Sequence, residues 1–233
     1  MNDEKLTPRL GEFPMTIVAI MKESEDSLLL AADSQFTDGA IRSTHSKLRT
    51  VPEQLITWSS AGNPSIGLDE FGGWLKAYDF SGKNWSSFAE DATSQLSRLN
   101  GAQRERTRLS GVEWNKNFAA DVIIAGWLAG IMGAYALSED GRFHDALQYG
   151  FEAIGVGAAY AKIALSTVRL CQGDQDKEAT LKIVMRIVAE RVQDCILPIE
   201  AFRLKKDIIE PVFQFGNNLE EHQPINKSEK EQT

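Results

Sequence analysis

Two short apolar runs that do not alternate with polar residues constrain this chain more than any other feature. Residues 16–21 read Thr-Ile-Val-Ala-Ile-Met and residues 28–32 read Leu-Leu-Leu-Ala-Ala, with the polar stretch Glu23 to Ser27 between them. Runs this short, flanked by turn residues, read as two strands of a hairpin with a longer loop. A strand wetted on one side shows a polar residue at every second position. These runs do not, so both faces of the hairpin are expected to be covered. Asp33 ends the second strand, Gly39 marks a turn, and Lys47 precedes a return strand at 54–60 that finishes at Ala61-Gly62.

The rest of the chain supplies the covering layers. Ile66, Leu68, Phe71, Trp74, Leu75 and Tyr78 recur at helical spacing, as do Trp85, Phe88, Ala89, Ala92, Leu96 and Leu99. Residues 100–117 are polar and basic, with Arg104, Arg106, Arg108 and Lys116, and read as an exposed helix end plus loop. A second apolar hairpin spans 118–137, and a further strand is expected near Tyr149 to Ile154. A helix then opens after Gly155-Val-Gly157 with Ile163, Ala164, Val168 and Leu170 on one stripe, and another spans about 176–191. Strands near 199–204 and 208–215 close the domain. Residues 1–14 read as a flexible leader, 15–215 as one domain, and 216–233 as a polar, disordered tail.

Charge and composition narrow the function classes. A net charge of −8 argues against nucleic acid or an anionic membrane as partner. No apolar run reaches the roughly 20 residues of a membrane-spanning helix, and the first fourteen residues hold no apolar core of a secretory signal. A cytoplasmic location is therefore expected, with Cys171 and Cys195 as buried thiols among apolar neighbours. His45, His144 and His222 are scattered without ligand spacing, so neither a metal nor another cofactor is expected. Gly155-x-Gly157 lacks the third glycine and the lysine of a phosphate cradle and reads as a tight packing position.

The order of features in the first half resembles a proteasome β-type subunit, within the N-terminal nucleophile hydrolases. These features are Met15/Thr16 opening a strand, Ala31-Ala32-Asp33-Ser34, Thr37-Asp38-Gly39, Lys47-Leu48 and Ser60-Ala61-Gly62. Ala120 to Gly126, the Asp140-Gly141 turn and Ala153 to Ala161 resemble the second half of that family. The Met15-Thr16 start is similar to the ancestral β-subunit group of bacterial homologues. The resemblance implies an α+β fold, a four-layer α-β-β-α sandwich, and self-assembly into a ring. It also implies a peptide or protein substrate, and it leaves room for an unfolding ATPase as partner.

It implies a site as well. Thr16 would be the nucleophile, its own freed α-amino group the base, Lys47 the cation that depresses the amine's pKa, and Asp33 the carboxylate that holds Lys47. Each is also compatible with a bland role, Asp33 as a turn cap and Lys47 as a strand-edge lysine. Two positions depart from the pattern. Counted from Met15 to Asp33 the hairpin is longer than the family's by two residues, and counted from Thr16 by one. An odd change reverses the face of a side chain unless a bulge absorbs it, so parity favours Met15 in the nucleophile position. Val156 stands where peptidase members carry a serine. Three functions stay open: a threonine-type amide hydrolase with Thr16 exposed by leader removal or by a start at Met15, a catalytically silent ring scaffold or binding module, and an amidase for a small molecule.

Overall fold

A computed structural model describes residues 16–33, 35–38, 41–44, 46–115, 118–172, 176–192 and 198–215. The expectations for residues 1–14, Met15, Cys195, His45, His222 and the tail lie outside them. The chain is α+β, with two five-stranded antiparallel sheets and four α-helices among the described residues, consistent with a sandwich.

The opening hairpin is the centre of the first sheet. Strands β1 (Ile17–Ser24) and β2 (Ser27–Asp33) pair antiparallel, and β2 is buried along its whole length. Strand β3 (Gln35–Asp38) and β4 (Ile41–Thr44) follow as a separate two-stranded hairpin, then β5 (Arg49–Val51) and β6 (Ile56–Gly62). A π-helical turn at Ser65–Glu70 leads into α1 (Phe71–Ala77), and α2 (Trp85–Leu109) follows. Next come β7 (Ala120–Leu128), β8 (Ile131–Leu137), β9 (Phe143–Asp145), β10 (Phe151–Gly155), α3 (Ala158–Gln172), α4 (Lys177–Arg191), β11 (Ile199–Lys205) and β12 (Ile208–Phe215). The sheet orders are β10-β1-β2-β11-β12 and β5-β6-β7-β8-β9.

Three apolar clusters show why the two runs carry no polar residue beyond Thr16. Ile17, Ala19 and Met21, with Leu29 and Ala31, pack against Ala161, Leu165, Leu181 and Val184 of α3 and α4. The alternate residues Val18, Ile20, Leu28 and Leu30 pack with Ile123 and Ala125 of β7 and Ala134 of β8 in the other sheet. On that sheet's far side, Ile56, Trp58, Val122 and Ile124 meet Phe71 and Leu75 of α1 and Phe88 and Leu96 of α2. Each Val, Leu, Ile, Phe or Met side chain among them contributes about 1.5–3 kcal/mol when fully buried. Asn84 starts α2 with a capping box, accepting from Ser87 N at 2.9 Å.

One irregularity in the first hairpin bears on the site. Val18 faces Ala32 and Lys22 faces Leu28 in one register, but Ser24 faces Ser27, so Glu23 is an extra residue in a bulge. Arg203 of β11 holds it, donating from Nε to Glu23 Oε2 at 2.7 Å and from Nη2 to Oε1 at 2.8 Å. The same guanidinium reaches Glu178 of α4 and Glu210 of β12.

Several expectations are corrected. The β3–β4 hairpin lies where the sequence marks only the Gly39 turn, because Phe36 and Ile41 are the sole apolar residues of its two strands. The exposed helix end read in 100–117 is the last turns of α2, which runs to Leu109 with a solvated polar face. The strand expected at Tyr149 begins at Phe151, and Tyr149 is exposed. On α3 the buried stripe is Ala161, Ala164, Leu165 and Val168, whereas Ile163 and Leu170 point outward. The apolar residues on both sides of this helix hid its phase. Cys171, expected to be buried, is exposed at the end of α3.

Candidate active site

The three residues named from the sequence come together at the ends of β1 and β2. Val18 and Ile20 face the second sheet, and continuing that alternation puts Thr16 on the same side. Asp33 ends β2, and its Oδ1 accepts from the Ile17 N–H at 3.2 Å. The Lys47 ammonium donates to Asp33 Oδ1 at 3.0 Å and to Thr16 Oγ1 at 3.0 Å. Thr16 and Lys47 are each 3% exposed and Asp33 is fully buried.

The hairpin bulge accounts for the departure from parity. The extra residue is taken up at Glu23, at the far end of the hairpin, and the remaining register runs unbroken toward the site. Thr16 therefore presents its hydroxyl to Lys47 without a change of face. Met15, favoured by parity, lies outside the described residues.

Backbone packing places Thr16 as closely as its side chain does. Gly155, at the end of β10, has φ +90°, and a Cβ built on it would stand 2.0 Å from the Thr16 carbonyl oxygen. Only glycine tolerates both conditions. The expected tight packing at Gly155 is real, but the partner is strand β1 rather than the following helix. Val156, next to it, is exposed and brings no hydroxyl.

The segment carrying Lys47 belongs to neither sheet. Leu48 is buried among the inter-sheet residues, Ser46 Oγ bonds to the Leu48 backbone, and Arg49 donates to the Ser46 carbonyl. The Lys47 N–H donates to Glu200 Oε1 at 3.1 Å. Glu200 was not singled out from the sequence, which holds no local signal for a partner this distant.

Burial dominates the electrostatics. It raises the Asp33 carboxyl to about 6, against the lowering effect of the Lys47 charge and hydrogen bonds. Asp33 Oδ2 has no hydrogen-bond partner among the described residues. A lysine ammonium only donates, so Thr16 Oγ1 accepts the hydrogen bond from Lys47 and its own hydroxyl proton remains free to be donated. That arrangement favours an alkoxide at Oγ1. The Thr16 nitrogen, preceded by Met15, is a peptide amide and no base until that bond is cut. Elsewhere, His144 bonds to Glu152 rather than joining a metal cluster, and no group of residues that could hold a metal ion exists among the described residues. No helix among them is long and apolar enough to cross a membrane.

No family model matches the chain, and no curated protein matches it. Solved structures do. An Anbu (Gly-1) mutant from Hyphomicrobium sp. strain MC1 superposes with a TM-score of 0.65 at 17% identity over 86% of each chain. Anbu (ancestral beta-subunit) from Yersinia bercovieri gives 0.66 at 18% over 87% of this chain and 88% of that one. The helical assembly of the Anbu complex from Pseudomonas aeruginosa gives 0.65 at 17% over 87% of each. These findings correct the assignment to the proteasome β-type subunits, because the neighbours are ancestral β-subunit proteins, related to the proteasome but distinct from it. At such identities the likeness is one of fold: the chain is folded like an Anbu protein.

Proposed function

We propose that this chain is a threonine-type hydrolase of peptide or other amide bonds, working in the cytoplasm with Thr16 as its nucleophile. One observation carries the reading. A fully buried Asp33–Lys47 pair holds an ammonium 3.0 Å from the Thr16 hydroxyl, at the start of a central strand. Cutting the Met15–Thr16 bond would free an α-amine whose ordinary pKa is near 8, within reach of a working base. Thr16 Oγ1 then attacks the substrate carbonyl carbon as the amine takes its proton. The substrate's C–N bond breaks, its amine leaves with that proton, and water hydrolyses the ester left on Thr16. Lys47 stabilises the developing negative charge on the hydroxyl oxygen.

The three apolar clusters support a four-layer α-β-β-α sandwich over residues 15–215 as part of this reading. The helical assembly of one neighbour supports self-association into a ring or a related array. An unfolding ATPase would be needed only for folded substrates.

A second reading has its own support. Val156 offers no hydroxyl where one would relay protons, and the Thr16 nitrogen is joined to Met15 by a peptide bond in the sequence. The protein would then be a silent scaffold. N-terminal sequencing of protein from its own host, with a peptide epoxyketone as probe, separates the two. A chain beginning at Thr16 that forms the adduct, lost in Thr16→Ala, is the expected result. A chain retaining residues 1–15, with no adduct and no cleavage of fluorogenic peptides, would leave the scaffold.

A further inference from the structure

Asp33 ends β2 of the first sheet and Thr16 directly precedes its β1, while Lys47 lies on chain that continues into β5 of the second. Residues 46–48 have no regular secondary structure of their own. The ammonium is thus delivered to the site from outside the sheet that holds its two partners. A lysine has a flexible four-carbon stem, so where its charge sits depends on where its backbone is held.

Glu200 provides such a hold. It accepts the Lys47 N–H at 3.1 Å across 153 positions of sequence. It stands on β11 opposite Ala32, one step from the Ile199–Asp33 pair. Ala32 faces the inter-sheet core, and cross-strand partners share a face, so Glu200 offers its carboxylate on the side where Thr16 and Lys47 meet. A hydrogen bond from a backbone N–H to a carboxylate is about twice as strong as one between neutral groups.

The geometry points to Glu200 as a positioning residue for the proposed amide hydrolysis, tethering the Lys47 backbone to the first sheet so that its ammonium stays between the Thr16 hydroxyl and Asp33. This rests on the reading of Thr16 as nucleophile. Glu200 acts through Lys47, so its loss slows the chemical step and leaves substrate binding alone. Misplacing a catalytic group by about 1 Å costs on the order of a hundredfold in rate.

The test compares Glu200→Gln with Glu200→Ala in the full chain. Three readings are taken: hydrogen exchange of the Lys47 amide, titration of the Asp33 carboxyl by carbon NMR, and kcat and KM on a fluorogenic peptide. Glutamine keeps a carbonyl acceptor, so Glu200→Gln should stay within about threefold of wild type throughout. Glu200→Ala should speed Lys47 amide exchange by about tenfold, move the Asp33 midpoint upward, and lower kcat about tenfold or more with KM unchanged. Should the alanine variant not fold, Glu200→Asp, whose carboxylate stops one methylene short, replaces it with the same expectations. Unchanged Lys47 exchange in the alanine variant, or equal damage from glutamine, would overturn the assignment. If wild-type protein beginning at Thr16 cleaves nothing, the hydrolase reading fails, and exchange and titration still decide whether Glu200 holds Lys47.

Discussion

Removing one member of the buried Asp33–Lys47 pair should cost far more than removing both. The charges are 3.0 Å apart, with 3% and 0% of their side chains exposed. At an effective dielectric constant of about 20, their attraction is roughly 5 kcal/mol. Lys47→Met removes it and strands a carboxylate whose Oδ2 already lacks a partner among the described residues. The expected loss at pH 8 is about 3–5 kcal/mol, which for a domain of this size is about 10 °C in melting temperature. At pH 5 the loss should shrink, because Asp33, already raised to about 6, is then mostly neutral in the wild type. The double variant Asp33→Asn, Lys47→Met removes both charges and should recover most of the stability at pH 8. Thermal unfolding of the four proteins at both pH values closes the cycle. A Lys47→Met loss below about 1 kcal/mol at pH 8, or a double variant as unstable as the sum of the singles, would refute the reasoning.

Three further outcomes follow from the geometry. The Asp33 carboxyl has its folded pKa raised from 3.8 to about 6, so its stabilising term is full below about 4 and lost as pH rises through about 6. Asp33→Asn should flatten the pH dependence of the melting temperature across that window, and an unchanged slope would count against it. Gly155→Ala should destabilise by about 3 kcal/mol or more, from a disfavoured φ of +90° and a collision with the Thr16 carbonyl; it should also abolish reaction of Thr16 with an epoxyketone. Arg203→Met should lower stability by about 2–3 kcal/mol, since Glu23, Glu178 and Glu210 all lose a shared cation. Urea denaturation checks it, and added salt, which screens the repulsion among the three carboxylates, should recover part of the loss.

Much of the fold was legible because burial on both faces leaves an unbroken apolar run. That is why β1, β2, β7 and β8 were visible, and why Asp33 could be placed at the end of β2, whereas Lys47 rested on the family resemblance. What escaped had no such imprint. Strands β3 and β4 carry mostly polar residues and, among the described residues, pair only with each other. The phase of α3 was hidden because Ile163 and Leu170 are exposed while the small Ala161 and Ala164 are buried. Glu200 sits in an unremarkable strand, far along the chain from Lys47. Parity favoured Met15 over Thr16 in the nucleophile position because a residue count cannot tell a bulge from a change of face; only pairing shows which it is.

That bulge also changes what length variation means for this protein. A regular hairpin ties loop length to facing, so every insertion of one residue would swing the strand's side chains to the wrong side. With Glu23 looped out and clamped by Arg203, the surplus is absorbed before the chain reaches Ile20 and Val18. The turn becomes a length buffer: relatives could differ there by single residues and still aim the same hydroxyl at the same lysine, provided a clamp like Arg203 changes with them.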